Sequence, residues 1–288
     1  MKKIILIFIL LIISVLLIQC EDSATNSFNS DQSVLMWIEH NNTYRSYNES
    51  GEYEGMKNGD CIRVNLTVHS DPVADLKSVV LNGDIVVNEA DSNYNYPGEI
   101  TFWNNYIDTT EITSGFDKIN INIETSIGKI EGEVSLPDTI VSVPLPDTLG
   151  LGETLTITWE GSNADYYNAR CYYSYPLEEN SSSGKSFGGY MRDNSLTIDG
   201  SNFTHDGHIR LYILPINGPF PEEGAKANLS GDGYGFVVYE NTHFELDEPI
   251  PVGKGYLSEF SSIKKSSFDI KNEIHDELKE KFQNLNNH

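Results

Sequence analysis

Across residues 61–69 every second side chain is apolar. Ile62, Val64, Leu66 and Val68 leave one side of the chain, and Cys61, Arg63, Asn65, Thr67 and His69 leave the other. A period of two built from branched residues predicts a half-buried strand, because successive side chains of an extended backbone point to opposite faces. Ile119, Ile121 and Ile123 repeat the pattern. After a turn at Ser126-Ile127-Gly128 it resumes in Ile130, Val134 and Leu136, which predicts a hairpin. Residues 34–39, 78–81, 85–87 and 100–103 are further predicted strands. Asn82-Gly83-Asp84 joins two of them with residues that tolerate the positive φ of a tight turn. Short strands about ten residues apart, without a helical period between them, predict a β-sandwich over residues 33–137.

Residues 137–147 carry Pro137, Pro144 and Pro146, which remove ladder donors and stiffen the chain. That stretch reads as a semi-rigid connector or an edge strand. A second strand-rich region follows over residues 145–247. Leu155, Ile157 and Trp159 alternate, a polar turn spans residues 161–165, and Tyr167, Ala169, Cys171 and Tyr173 share one face of the next strand. Leu196 and Ile198, then Ile209, Leu211 and Ile213, then a last strand through Phe236 and Val238 complete it.

A tryptophan closing one strand and a tyrosine opening the next, with inward residues at every second place, resembles a fibronectin type III or immunoglobulin-like module. The residues that carry the likeness are Trp159 and Tyr167 and the spacing around them. The inter-sheet cysteine pair of antibody domains is absent, which favours the type III variety. The expected fold class is therefore all-β, two tandem sandwiches followed by a tail over residues 255–288. Such a fold serves binding, spacing and adhesion alike. In that tail Ile270, Ile274, Leu278 and Phe282 lie four apart, and Leu285 extends the stripe, which predicts an amphipathic helix with Ser267 as its N-cap. The helix is expected to dock on the second module; presentation to a partner protein is the other reading.

The N-terminus carries a different signal. Lys2 and Lys3 precede an apolar run of about 15 residues over 4–18, then Gln19 and Cys20. The run suits a secretory signal and falls short of the roughly 18 residues of a membrane-spanning helix. Leu17-Ile18-Gln19-Cys20, followed by Glu21-Asp22-Ser23, resembles a bacterial lipoprotein signal, with residues 1–19 removed and Cys20 lipidated (palmitate among its chains). Gln19 stands where such signals usually hold a small residue, so cleavage nearby by an ordinary signal peptidase and retention as an anchor helix stay open. Residues 20–32 are polar and read as a flexible tether. Asp22-Ser23-Ala24, Asp108-Thr109-Thr110, Asp138-Thr139-Ile140 and Asp147-Thr148-Leu149 resemble the O-glycosylation acceptors of exported Bacteroidetes proteins. The likeness to a lipoprotein signal implies the cell envelope, at the outer membrane or cell surface.

Of 19 basic residues the mature chain loses Lys2 and Lys3, leaving 17 against 43 acidic, a formal charge of −26. Nucleic acid and anionic headgroups repel such a chain, so neither is an expected partner. With Cys20 assigned to lipid, Cys61 and Cys171 are expected as free thiols.

Motifs of chemistry are few. Ser183-Gly184-Lys185-Ser186 resembles the end of a phosphate loop, but Glu179 holds the place of its first glycine. His205-Asp206-Gly207-His208, with Asp199 and Asn202 upstream, and Gly231-Asp232-Gly233-Tyr234-Gly235 offer too few ligands at fixed distances for a metal and read as turns. No His-Glu-x-x-His occurs. No catalytic residue, cofactor or metal is assigned. Tyr94, Tyr96, Trp103, Tyr166, Tyr172, Tyr190 and Tyr212 include several on the outward parity of their strands, where rings stack on sugars, anchor proteins or pair across a sheet. The expected role is a lipid-anchored, non-enzymatic binding, structural or adhesion module, with a carbohydrate-binding surface lipoprotein as the alternative.

Overall fold

Val34, Met36 and Ile38 on one side of the first strand, and Leu35 and Trp37 on the other, are all buried. A strand apolar on both faces must lie inside the molecule rather than on its skin, and the topology follows from that. The computed structural model describes residues 32–47, 53–71, 74–88, 93–96, 99–108, 117–178, 181–246, 248–254 and 267–286. Over these the protein is mostly β.

The first eight strands are β1 (Gln32–Tyr47), β2 (Tyr53–Ser70), β3 (Leu76–Leu81), β4 (Asp84–Asn88), β5 (Asn93–Tyr96), β6 (Glu99–Asp108), β7 (Lys118–Thr125) and β8 (Gly128–Ser135). Antiparallel ladders join β1 to β2, β2 to β6, β3 to β7 and β7 to β8. The turn between β3 and β4 has Asn82 at φ 50 and Gly83 at φ 99, as the sequence requires of a tight hairpin. Inward residues of β1 and β2 meet those of β3, β7 and β8 in one core, among them Ile38, Leu66, Val79, Ile121 and Ile130. The far face of β2 is not solvated as its alternation suggests: Asn65 and Thr67 are buried there too.

The next strands are β9 (Leu155–Thr158), β10 (Tyr166–Glu178), β11 (Ser181–Met191), β12 (Ser195–Ile198), β13 (Gly207–Asn217), β14 (Leu229–Gly231), β15 (Tyr234–Glu240), β16 (Phe244–Glu245) and β17 (Ile250–Val252). β9 and β12 form a two-stranded layer. β10 lies between β11 and β13, and β13 also pairs β16 and β17. Leu155, Ile157 and Trp159 from the first layer pack with Ala169, Cys171, Leu211 and Ile213 from the second. Before β9, Ser142 bridges Glu160 antiparallel and Leu149 bridges Val252 parallel, which ties the proline-rich connector to this core.

β14 and β15 depart from the sequence reading. The strand through Phe236 and Val238 exists, but its main partner is β1, in parallel register from Ser33↔Tyr234 to Glu39↔Glu240. It meets β13 only at Ile216↔Glu240 and Asn217↔Tyr239, while β14 pairs β8. One ladder thus runs β4-β3-β7-β8-β14-β15-β1-β2-β6-β5 and branches at β15 into the later strands. The physical reason is that β15 is apolar on both faces. Val237 and Tyr239 enter the first core, and Phe236 and Val238 enter a third.

That third core is covered by α1 (Ser267–Asn286). Its stripe of Ile270, Ile274, Leu278 and Phe282 is buried on Leu35, Trp37, Phe236, Val238, Leu214 and Ile216, with Phe282 stacked on Phe236 at 4.6 Å. Each such side chain contributes roughly 1.5–3 kcal/mol on burial. Among the described residues no helix is long and apolar enough to cross a membrane.

Candidate functional site

The outward face of β10, β11 and β13 is where the sequence places tyrosines, and the helix lands on it. Tyr166 and Tyr212 are 0% and 1% exposed, so neither is a surface platform. Their parity was right, but that face is a floor beneath α1. Burial first, then the nearby Glu240 carboxylate, holds both phenols well above their usual range. Tyr190, also raised by burial, donates its hydroxyl to the Ile274 carbonyl of α1 at 2.8 Å. Tyr172 is half-buried. Tyr94, Tyr96 and Trp103 sit in β5 and β6, and their side chains lie outside the described residues, as does Cys20.

Where α1 ends its contact with β11, a groove of about 580 Å³ opens. Its floor is Gly188, Gly189 and Tyr190 of β11; one wall is Glu277 and Lys281 of α1; the other is Phe220, Pro221, Glu222 and Glu223, in the loop after β13. Each part has a local cause. A side chain at Gly188 would overlap the carbonyl of Ala169 on β10, so the strands approach closely only with glycine there. Phe220 meets the edge of Tyr166 at 5.2 Å and carries Arg192 over its ring at 4.0 Å. Arg192 also grips Glu222 through two hydrogen bonds of 2.6 and 3.1 Å, which keeps that carboxyl below its usual range. Arg170 of β10 holds Glu277 from below, and Lys281 lies 3.8 Å from the same carboxylate. Glu223 is exposed on the rim. Bare strand backbone, two aromatic rings, a proline and fixed charges suit contact with a polymer laid along the groove.

The turn motifs have structural duties. His205 stacks on Tyr175 at 4.6 Å, and Asp206 accepts the backbone N–H of Lys254. Burial, with Arg210 beside it, lowers the pKa of His208. Asp199 caps a short 3-10 turn by accepting the N–H of Ser201, and Asn202 sits within that turn. Asp232 accepts the N–H of Lys129 at 3.0 Å and so fastens the β14–β15 turn to β8. Residues 183–186 are strand in β11, and the Lys185 ammonium donates to the Asn202 carbonyl at 3.4 Å. Among the described residues no three His, Cys, Asp or Glu side chains gather as for a metal ion. Cys61 and Cys171 are buried and neither is in a disulfide.

Sequence reasoning missed the groove loop, because Phe220 and Pro221 belong to no periodic segment. It also missed Glu39 and Glu240, buried opposite each other, although a lone acid ending each of two apolar runs was a readable sign. No protein-family model and no curated protein matches the chain.

Proposed function

We propose that this is a lipid-anchored, non-enzymatic cell-envelope protein that holds β-sandwich modules above a membrane as a binding or adhesion surface. The observation that carries the reading is the basic start, the apolar run over residues 4–18 and the cysteine at position 20. Several acyl chains on one cysteine anchor stably, since each buried methylene contributes about 0.8 kcal/mol and a single chain holds only marginally.

Strand order supports the sandwich part of the proposal. A layer of β9 and β12 faces a layer of β11, β10, β13 and β17, with a leading segment bridging both. That order is similar to the one expected of a fibronectin type III module, with the β14–β15 excursion read as an insertion between its last two strands. The first region supports a sandwich through the single core shared by its two strand groups.

The glycan-binding alternative stands second, because α1 covers two of the tyrosines that would have stacked on sugar. The test is Cys20→Ser. Wild-type protein should incorporate a clickable palmitate analogue and fractionate with membranes, and the variant should do neither. A variant that fractionates like wild type, or a wild-type protein that takes no label, overturns the anchoring.

A further inference from the structure

We infer that the free edge of β11 binds an extended, lysine- or arginine-bearing peptide segment by strand addition, with its side chains entering the groove beside α1. The inference rests on the reading of this chain as a binding module and names the class of partner.

β11 is 11 residues long and laddered to β10 on one side, from Tyr167↔Met191 to Glu178↔Ser181, with one irregularity between Pro176 and Glu178. Its other edge meets no strand among the described residues. An open edge presents unpaired N–H and C=O groups, and natural proteins guard such edges with lysines, prolines or a covering segment. Among the described residues no such guard lies on this edge. The strand's one lysine, Lys185, is committed to the Asn202 carbonyl, and the strand has no proline. A side chain placed on Gly189 would meet nothing within 4 Å, so the face above that residue has room for the side chains of an added strand.

Charge selects the occupant. Arg192 neutralises Glu222, while Arg170 and Lys281 neutralise Glu277. Among the described residues no cation pairs with Glu223, which is exposed and lines the same groove as the Gly188–Tyr190 floor. A second copy of this chain would bring a formal charge of −24 to that rim, whereas a basic segment brings the opposite sign. Phe220 and Pro221 supply the apolar wall against which alternate side chains of an added strand would rest.

The test uses the full chain carrying Cys20→Ser and two fluorescent probes, a Lys-Val-Lys-Val-Lys-Val peptide and its Glu-Val counterpart. In anisotropy titrations the Lys-Val probe should bind at least fivefold tighter than the Glu-Val probe. Glu223→Lys should erase that preference without altering the melting temperature. Hydrogen exchange should slow across residues 183–191 when the Lys-Val probe is bound. Equal binding of the two probes, absence of binding, an unaffected Glu223→Lys variant, or protection confined to other strands each overturns the inference. Anchoring is scored separately by fractionation, so either reading can fail alone.

Discussion

Glu39 and Glu240 stand opposite each other across the parallel pair β1–β15, 1% and 0% exposed, in the seam where early and late strands of the chain meet. Glu39 accepts the Asn65 side-chain amide at 2.7 Å and lies 3.8 Å from Arg63. Glu39→Gln should therefore cost about 1–3 kcal/mol, since it weakens a charge-assisted bond inside the protein. Buried side chains paired across a ladder should also sense one another. In urea titrations, Glu39→Gln combined with Glu240→Gln should deviate from the sum of the single changes by about 0.5 kcal/mol or more. Strict additivity would mean the two charges are insulated.

Trp159 fills the second core and meets Tyr167 edge-on at 5.2 Å. Trp159→Ala should cost about 3–5 kcal/mol in denaturant unfolding. A loss below 1 kcal/mol would show that the layer of β9 and β12 does not close that core.

Removing α1 should bare Trp37, Tyr166 and Tyr212 together. A chain ending at Gly253 should show red-shifted tryptophan emission and bind a hydrophobic dye. Phe282→Ala, which removes one stacked ring, should cost about 3–5 kcal/mol. Unchanged emission on truncation would contradict the packing of α1 on this face.

Gly235 lies where a side chain would overlap the carbonyl of Val34 on β1. Gly235→Ala should separate the parallel pair and cost about 1–3 kcal/mol or more. Hydrogen exchange should then rise in β1 and β15 before it rises in β9 and β12.

Burial pushes the Cys171 thiol from its ordinary 9.0 up to about 12. The unfolded chain therefore loses this proton first as pH rises, and its thiolate draws the equilibrium toward unfolding. The contribution is intact below pH 9 and is lost progressively between pH 9 and 12, on the order of 4 kcal/mol at the limit. Cys171→Ala should flatten that alkaline fall in stability. Against a disulfide reagent at pH 8, both cysteines of the folded body should react only after denaturation.

Much of the ladder was legible because alternation is a local signal. Ile62 to Val68, Ile119 to Ile123 and Tyr167 to Tyr173 each face inward as their spacing requires. The stripe of α1 was equally plain. What period two cannot encode is destination, since it fixes the face of a strand and not its neighbour. Phe236-Val237-Val238-Tyr239 is apolar at every place, the mark of a strand covered on both sides, yet nothing in the run says that β1 is the cover. For the same reason the outward parity of Tyr166 and Tyr212 was readable while the helix above them was not. The groove was the least legible part, because it is made where a strand edge, a loop and a helix end converge.

The crossing of β15 onto β1 also fixes an order of events. Ser33 is made early and must wait for Tyr234, so the first strand leaves the ribosome with its mate still unmade. Burial of that edge comes as a late act of folding, with slow closure over a long span of chain. Once shut, the molecule resembles a buckled belt. A protease that nicks the proline-rich stretch should leave two pieces that travel together until denaturant opens the buckle.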